Sequence, residues 1–250
     1  SMLVIVLIGF LCSGAYAVIG YGLFAKGTRD QKAFGLVNAS GYNIGCFTMP
    51  FVQGFLGAPG VACTSLFDTG NSFICLGGAF SAAKMVKEGE GKISLIPIIK
   101  TLVRSVPFDA YITMTALSLL HISLPAPVIT FSEVVSGANA FIAMLMMGVG
   151  FKISGDTSQK GKIVKILAVR YGVSIAVAAA LYFFMPLPLE YRQALAVLVF
   201  SPIAAAAPAF TADMISCTPM VYVIADSLII TTNSLAIAGR MFLSACGKMI

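Results

Sequence analysis

The stretch Asn43-Ile-Gly-Cys-Phe-Thr-Met-Pro50 has a counterpart in Ser201-Pro-Ile-Ala-Ala-Ala-Ala-Pro208. An aspartate follows each final proline after 18 residues: Asp68 after Pro50, Asp226 after Pro208. The second pair is displaced from the first by 158 residues. All four residues lie within long apolar sequence. A proline inside a helix removes a backbone donor and clashes with the preceding turn, so it breaks or kinks the helix. A carboxylate in such sequence is costly unless it has a partner or a task. Two pairs at one offset describe an internal repeat with a polar centre, the architecture of a secondary transporter.

Composition sets the surrounding medium. The 250 residues are 58% hydrophobic and only 10% charged, with a mean hydropathy of +0.95. Soluble domains carry about 25% charged residues, so the expectation is an all-α integral membrane protein. A spanning helix needs about 20 apolar residues. Eight segments qualify: 3–24, 34–56, 61–83, 107–124, 128–151, 163–184, 191–214 and 219–243. The first lacks a basic flank and is longer than the apolar core of a signal peptide, so it reads as a true span. Residues 92–106 are amphipathic and are expected along the membrane surface.

Thirteen of the 16 basic residues fall in alternate connections. They are Lys26, Arg29 and Lys32; Lys84, Lys87, Lys92, Lys100 and Arg104; and Lys152, Lys160, Lys162, Lys165 and Arg170. By the positive-inside rule these face the cytoplasm, which places both termini outside a plasma membrane that the chain crosses many times. The net charge of +6 is thereby a matter of topology, and nucleic acid is not an expected partner. Six scattered cysteines form no CxxC pair, so neither a disulfide framework nor a metal site is indicated. Enzymatic signatures such as HExxH and Gly-x-Ser-x-Gly are absent.

Span 34–56 carries Asn38, Gly41, Asn43, Gly45, Thr48 and Pro50 in its middle, and span 191–214 carries Ser201, Pro202 and Pro208. Unwound backbone at membrane depth persists only where protein buries it or a wet cavity meets it. Half-helix N-termini then offer N–H groups to anions, and freed carbonyls hold cations. Asp68, Asn71 and Ser72 share one helix face by spacing, as do Asp226 and Asn233. Two roles stay open for these aspartates: coupling of a proton or sodium ion, or support of loose backbone. No lysine or arginine is expected at either midplane, which makes proton coupling natural. His121 reads as interfacial, and Glu133 as lining an outer vestibule.

The residues Asn43-Ile-Gly…Met-Pro50, Leu66-Phe-Asp68-Thr-Gly-Asn71-Ser, Ile122-Ser-Leu-Pro125-Ala-Pro127 with Gly148-Val-Gly150, and Ser201-Pro…Ala-Pro208 give the chain a likeness to a known family. It resembles the auxin efflux carriers, the bacterial relatives of the plant PIN proteins. The resemblance implies ten helices in two inverted five-helix repeats, with two broken helices crossing at their prolines. The eight spans correspond to family helices three to ten, leaving the first two without a counterpart. The expected units are therefore a first three-helix transport unit (1–83), a cytoplasmic loop with an amphipathic helix (84–106), a scaffold pair (107–151) and a second, inverted transport unit (152–250). A homodimer through the scaffold helices is the expected assembly.

By the same resemblance the substrate is a small organic anion, a carboxylate such as malate or malonate or an auxin-like acid. Asn43 and Pro50 face it beside Pro208, with Thr48, Ser201 and Thr211 completing the candidate site. Where the family often has an asparagine after the second proline, this chain has Ala209, Phe210 and Thr211. Two alternatives stand beside a carrier: a non-transporting sensor or assembly module of the same fold, and a bile-acid-type sodium symporter.

Overall fold

A computed structural model describes residues 2–89, 96, 99, 103, 106–120, 122–135, 138, 157–204, 206, 207, 210 and 211. Every regular element among them is a helix, joined by one isolated antiparallel bridge, Tyr42 to Ile203. The helices are α1 (Met2–Leu23), α2 (Arg29–Ser40), α3 (Met49–Ser72), α4 (Ala79–Glu88), α5 (Val106–Leu119), α6 (Ala126–Val135), α7 (Thr157–Phe184) and α8 (Leu189–Leu198). Wide π turns, Ile44–Thr48 and Phe73–Gly78, lead into α3 and α4.

α1 packs between α2 and α3 along two seams of small residues. A Cβ on Gly20 would meet the Gly35 carbonyl oxygen, and one on Gly35 would meet that of Gly20. Gly9 and Gly70 make the same close approach between α1 and α3, against the carbonyl oxygens of Phe67 and Val6. Small residues let helix backbones meet where water supplies no hydrophobic drive, which suits a chain this apolar.

Gly57 supplies a turn inside α3. Its φ of 57° and ψ of −152° are open to glycine and strained for other residues. Past it, Gly60 lies against Val52 as well as Leu56. In a straight helix, residues 52 and 60 would stand about 12 Å apart at a rise of about 1.5 Å per residue. The chain therefore reverses here, and residues 49–56 and 58–72 are separate legs. The expected boundary between spans 34–56 and 61–83 falls at this reversal.

α2 begins five residues ahead of its expected span. Thr28 and Gln31 form a reciprocal capping box there, which satisfies two first-turn donors. α7 also begins early, so Lys160, Lys162 and Lys165 ride on its opening turns. The Lys165 Nζ donates to the Leu23 carbonyl at 2.8 Å, and the end of α4 at Gly89 lies against Arg29. These contacts gather the ends of α1 and α4 and the starts of α2 and α7 at one basic pole.

Among the described residues, two helices are long and apolar enough to cross a membrane: Met2–Leu23 and Val164–Phe184. Only 33% and 22% of their apolar windows are buried. A core helix of a water-soluble domain would be mostly covered, so the outward faces of these two suit a lipid environment. Ile96, Ile99 and Val103 are exposed, and the Val103 amide bonds the Ile99 carbonyl at 2.9 Å. Their spacing places these three on one helical face, and most of the expected surface helix over 92–106 lies outside the described residues.

Candidate functional site

Two helices are interrupted, and their interruptions meet. α2 stops at Ser40, and Gly41 turns extended, with φ −96° and ψ 154°. A Cβ on Gly41 would crowd Cys75 Sγ and Ala204 Cβ, each 2.6 Å away, so glycine is needed there for space. α8 stops at Leu198, and the chain runs irregularly through Pro202 before i→i−4 bonding resumes with the Phe210 amide on Ala206. A residue ahead of proline is pushed out of the helical region, which accounts for the interruption at Ser201. The Asn43 amide donates to the Pro202 carbonyl at 2.8 Å, closing the contact between the segments.

The first interruption therefore belongs to Gly41 and not to Pro50. Pro50 sits in the first turn of α3. The turn ahead of it has widened, with the Thr48 amide on Asn43 and the Met49 amide on Ile44. A π turn is a common way for a helix to absorb a disturbed ladder. Pro208, Asp226, Asn233 and His121 lie outside the described residues, as do Gly148 and Gly150. Glu133 is exposed on α6.

Arg170 of α7 is buried where the two interruptions meet, beside the polar centre for which no lysine or arginine was expected. Its guanidinium donates to four carbonyl oxygens: Ala39 at 2.6 Å, Gly41 at 2.9 Å, Ser201 at 3.1 Å and Pro202 at 3.3 Å. Its charge also lies over the rings of Tyr16 and Tyr42, 5.1 and 4.8 Å from their centroids. Such stacking partly replaces lost hydration. Arg170 therefore does not belong with the loop charges it was grouped with in sequence. The sequence signal was present: Arg170 falls inside the apolar run Val164–Phe184, where an ionisable residue marks function or support.

Further peptide groups freed at the interruptions also take bonds from buried side chains. The Asn71 side chain holds the Tyr42 peptide on both sides, accepting from its N–H at 3.2 Å and donating to its C=O at 3.2 Å. The same amide donates to Asp68 Oδ1 at 3.0 Å and accepts from Ser13 at 2.9 Å. Asp68 is buried, and through this bond it fixes which way the Asn71 amide points. The Tyr16 hydroxyl bonds the Arg170 carbonyl at 2.9 Å and Ser174 at 2.8 Å, and Ser174 in turn bonds the Val199 carbonyl at 2.6 Å. Ser13, Tyr16, Tyr42, Arg170 and Ser174 were not among the expected site residues.

Of the expected substrate residues, Thr48 and Ser201 come together, their hydroxyls 2.6 Å apart and buried. Asn43 is buried beside them in sequence and space, and its Nδ2 has no bonding partner. The Tyr42 hydroxyl beside it is also buried and unpaired; buried unpaired polar groups are costly, so these two are ready to bond a ligand. Thr211 belongs to a different contact. Its hydroxyl takes a bond from Asn38 Nδ2 at 3.0 Å and donates to Ala207 at 2.7 Å, tying α2 to the chain beyond the second interruption. The described residues hold no cluster of metal-ligating side chains.

The described residues define a mostly helical protein in which two interrupted helices are clasped around a buried arginine. Compared with family models, curated proteins and solved structures, the chain matches none.

Proposed function

We propose that this protein is a membrane carrier for a small organic anion, working by alternating access at the crossing of its interrupted helices. The observation that carries the reading is the Tyr42–Ile203 bridge, with the unpaired Asn43 Nδ2 and the Thr48–Ser201 hydroxyl pair around it. A carboxylate is the natural ligand for an amide donor and two hydroxyls placed near a guanidinium. The likeness to auxin efflux carriers supports the same class of substrate.

Eight spans in an inverted repeat, crossing a plasma membrane with both termini outside, complete this reading. One contact pair supports the repeat. Tyr16 and Ser174, which bond each other, are separated by the same 158 residues as the two prolines. Repeat-related residues touch only on the axis relating the repeats. The two segments run antiparallel where they meet, as units of opposite membrane direction would. A homodimer through the scaffold helices is part of the same proposal.

Uptake of labelled carboxylates into proteoliposomes tests it. Wild-type protein is expected to transport at least one of a panel of small mono- and dicarboxylates. Asn43→Ala and Thr48→Val are expected to lower that uptake at least tenfold. Uptake unchanged in both variants would remove the crossing as the substrate site. A second reading, a non-transporting sensor, draws on the density of bonds that close the crossing. It predicts ligand-dependent thermal stabilisation with no flux.

A further inference from the structure

We infer that Arg170 is a tethered cation occupying the position of a coupling ion, so that the crossing needs no bound sodium. The inference deepens the carrier reading and rests on it for its functional meaning. In transporters with discontinuous helices, unwound carbonyls and half-helix C-terminal ends coordinate the driving cation. Here α2 and α8 both end at the crossing, at Ser40 and Leu198. Each helix C-terminus carries roughly half a negative charge. Two such ends together call for about one positive charge, and one guanidinium supplies it.

The donor inventory agrees. Ala39 and Gly41 lie at the end of α2, and Ser201 and Pro202 follow the end of α8. Their carbonyl oxygens are the freed acceptors that would face a metal ion, and all four already take a bond from Arg170. A guanidinium is planar and permanently charged, and its fork of N–H groups can serve several carbonyls together. The Tyr16 and Tyr42 rings cover it, and the Tyr16 hydroxyl holds the Arg170 backbone. Sodium would have to displace this side chain from a buried position to reach the same oxygens. The expected coupling through a sodium ion is thereby disfavoured at the crossing, and a bile-acid-type symport with it.

The test is thermal unfolding of the purified full chain in detergent, read as a midpoint in sodium chloride and in choline chloride at equal ionic strength. The wild-type midpoint is expected to be the same in both salts throughout a titration. Arg170→Ala is expected to unfold roughly 5–10 °C lower. Part of that loss should return, saturably, on adding guanidinium at sub-denaturing concentration, and not on adding urea. Arg170→Lys, which keeps the charge without the fork, should fall between. Saturable stabilisation of the wild type by sodium over choline would overturn the inference, as would Arg170→Ala with a wild-type midpoint. The wild-type titration decides even where Arg170→Ala does not fold. No substrate enters this measurement. A sodium-indifferent protein without carboxylate flux therefore sinks the carrier and leaves the arginine assignment standing, whereas flux with sodium stabilisation does the reverse.

Discussion

At the crossing, peptide groups freed from two helix ladders are bonded again by side chains, and the cost of losing each partner differs. Asn71 serves both the N–H and the C=O of Tyr42. Replacing it by leucine leaves two buried backbone groups without that partner, each costing about 1–3 kcal/mol. Asn71→Leu is therefore expected to destabilise the protein by about 2–6 kcal/mol, measured by thermal or denaturant unfolding in detergent. Thr48 and Ser201 are partners of each other, so losing both is milder than two separate losses. A double-mutant cycle with Thr48→Val and Ser201→Ala should show a coupling of about 1 kcal/mol; additive effects would mean that the two hydroxyls do not act as a pair. Asp68 orients Asn71, which favours support over ion coupling. Asp68→Asn is accordingly expected to retain transport, and its abolition in a stably folded variant would restore the coupling role. The Asp68–Asn71 contact was legible from helical spacing. The Asn71–Tyr42 contact was not, because no periodicity links residues 29 apart across a turn. Arg170 was hidden by its neighbours: next to Lys160, Lys162 and Lys165 it reads as one more loop charge, until the helix is seen to carry it inward.

The helices themselves follow from their ends more than from their interiors. Thr28 with Gln31 fixes the start of α2, and Gly89, with φ 81°, closes α4 as a left-handed cap. Apolar runs gave the extents of α1 and of much of α7, because length and hydropathy suffice there. They misplaced the first interruption, since proline is the stronger breaker in sequence while Gly41 is the residue that close packing against Cys75 and Ala204 demands. The turn at Gly57 offers a clean contrast. Its Cβ position is open, with nothing within 4 Å, so the only obstacle to alanine is the backbone. Gly57→Ala should cost about 1–3 kcal/mol. Gly54, three residues earlier, is equally open but helical, and Gly54→Ala should raise stability by about 0.5–1 kcal/mol. Unfolding midpoints that move in opposite directions would confirm that residue 57 reverses the chain; equal shifts would return α3 to a simple bent helix.

At the scale of the whole molecule, the repeat and the basic pole make one joint claim about sidedness. Lys165 on Leu23 and Arg29 against Gly89 gather the basic ends. The beginning of α8 lies away from that pole, where Cys63 reaches the Tyr191 carbonyl at 3.7 Å and Leu187 and Tyr191 pack in the same cluster as Ile5, near the start of α1. The 158-residue offset pointed to a duplication in the sequence, but two like units in the same direction would give the same offset. Direction had to come from charge, and charge counts are fragile when one arginine of the count turns out to be buried. Accessibility resolves it. Ala25, in the turn after α1, and Glu190, in the first turn of α8, are both exposed. In a background with the native cysteines replaced, Glu190→Cys should react with a membrane-impermeant maleimide on intact cells, whereas Ala25→Cys should react only after permeabilisation. Reaction of both without permeabilisation would put the two connections on one side. That result would refute the inverted repeat, whatever the crossing binds.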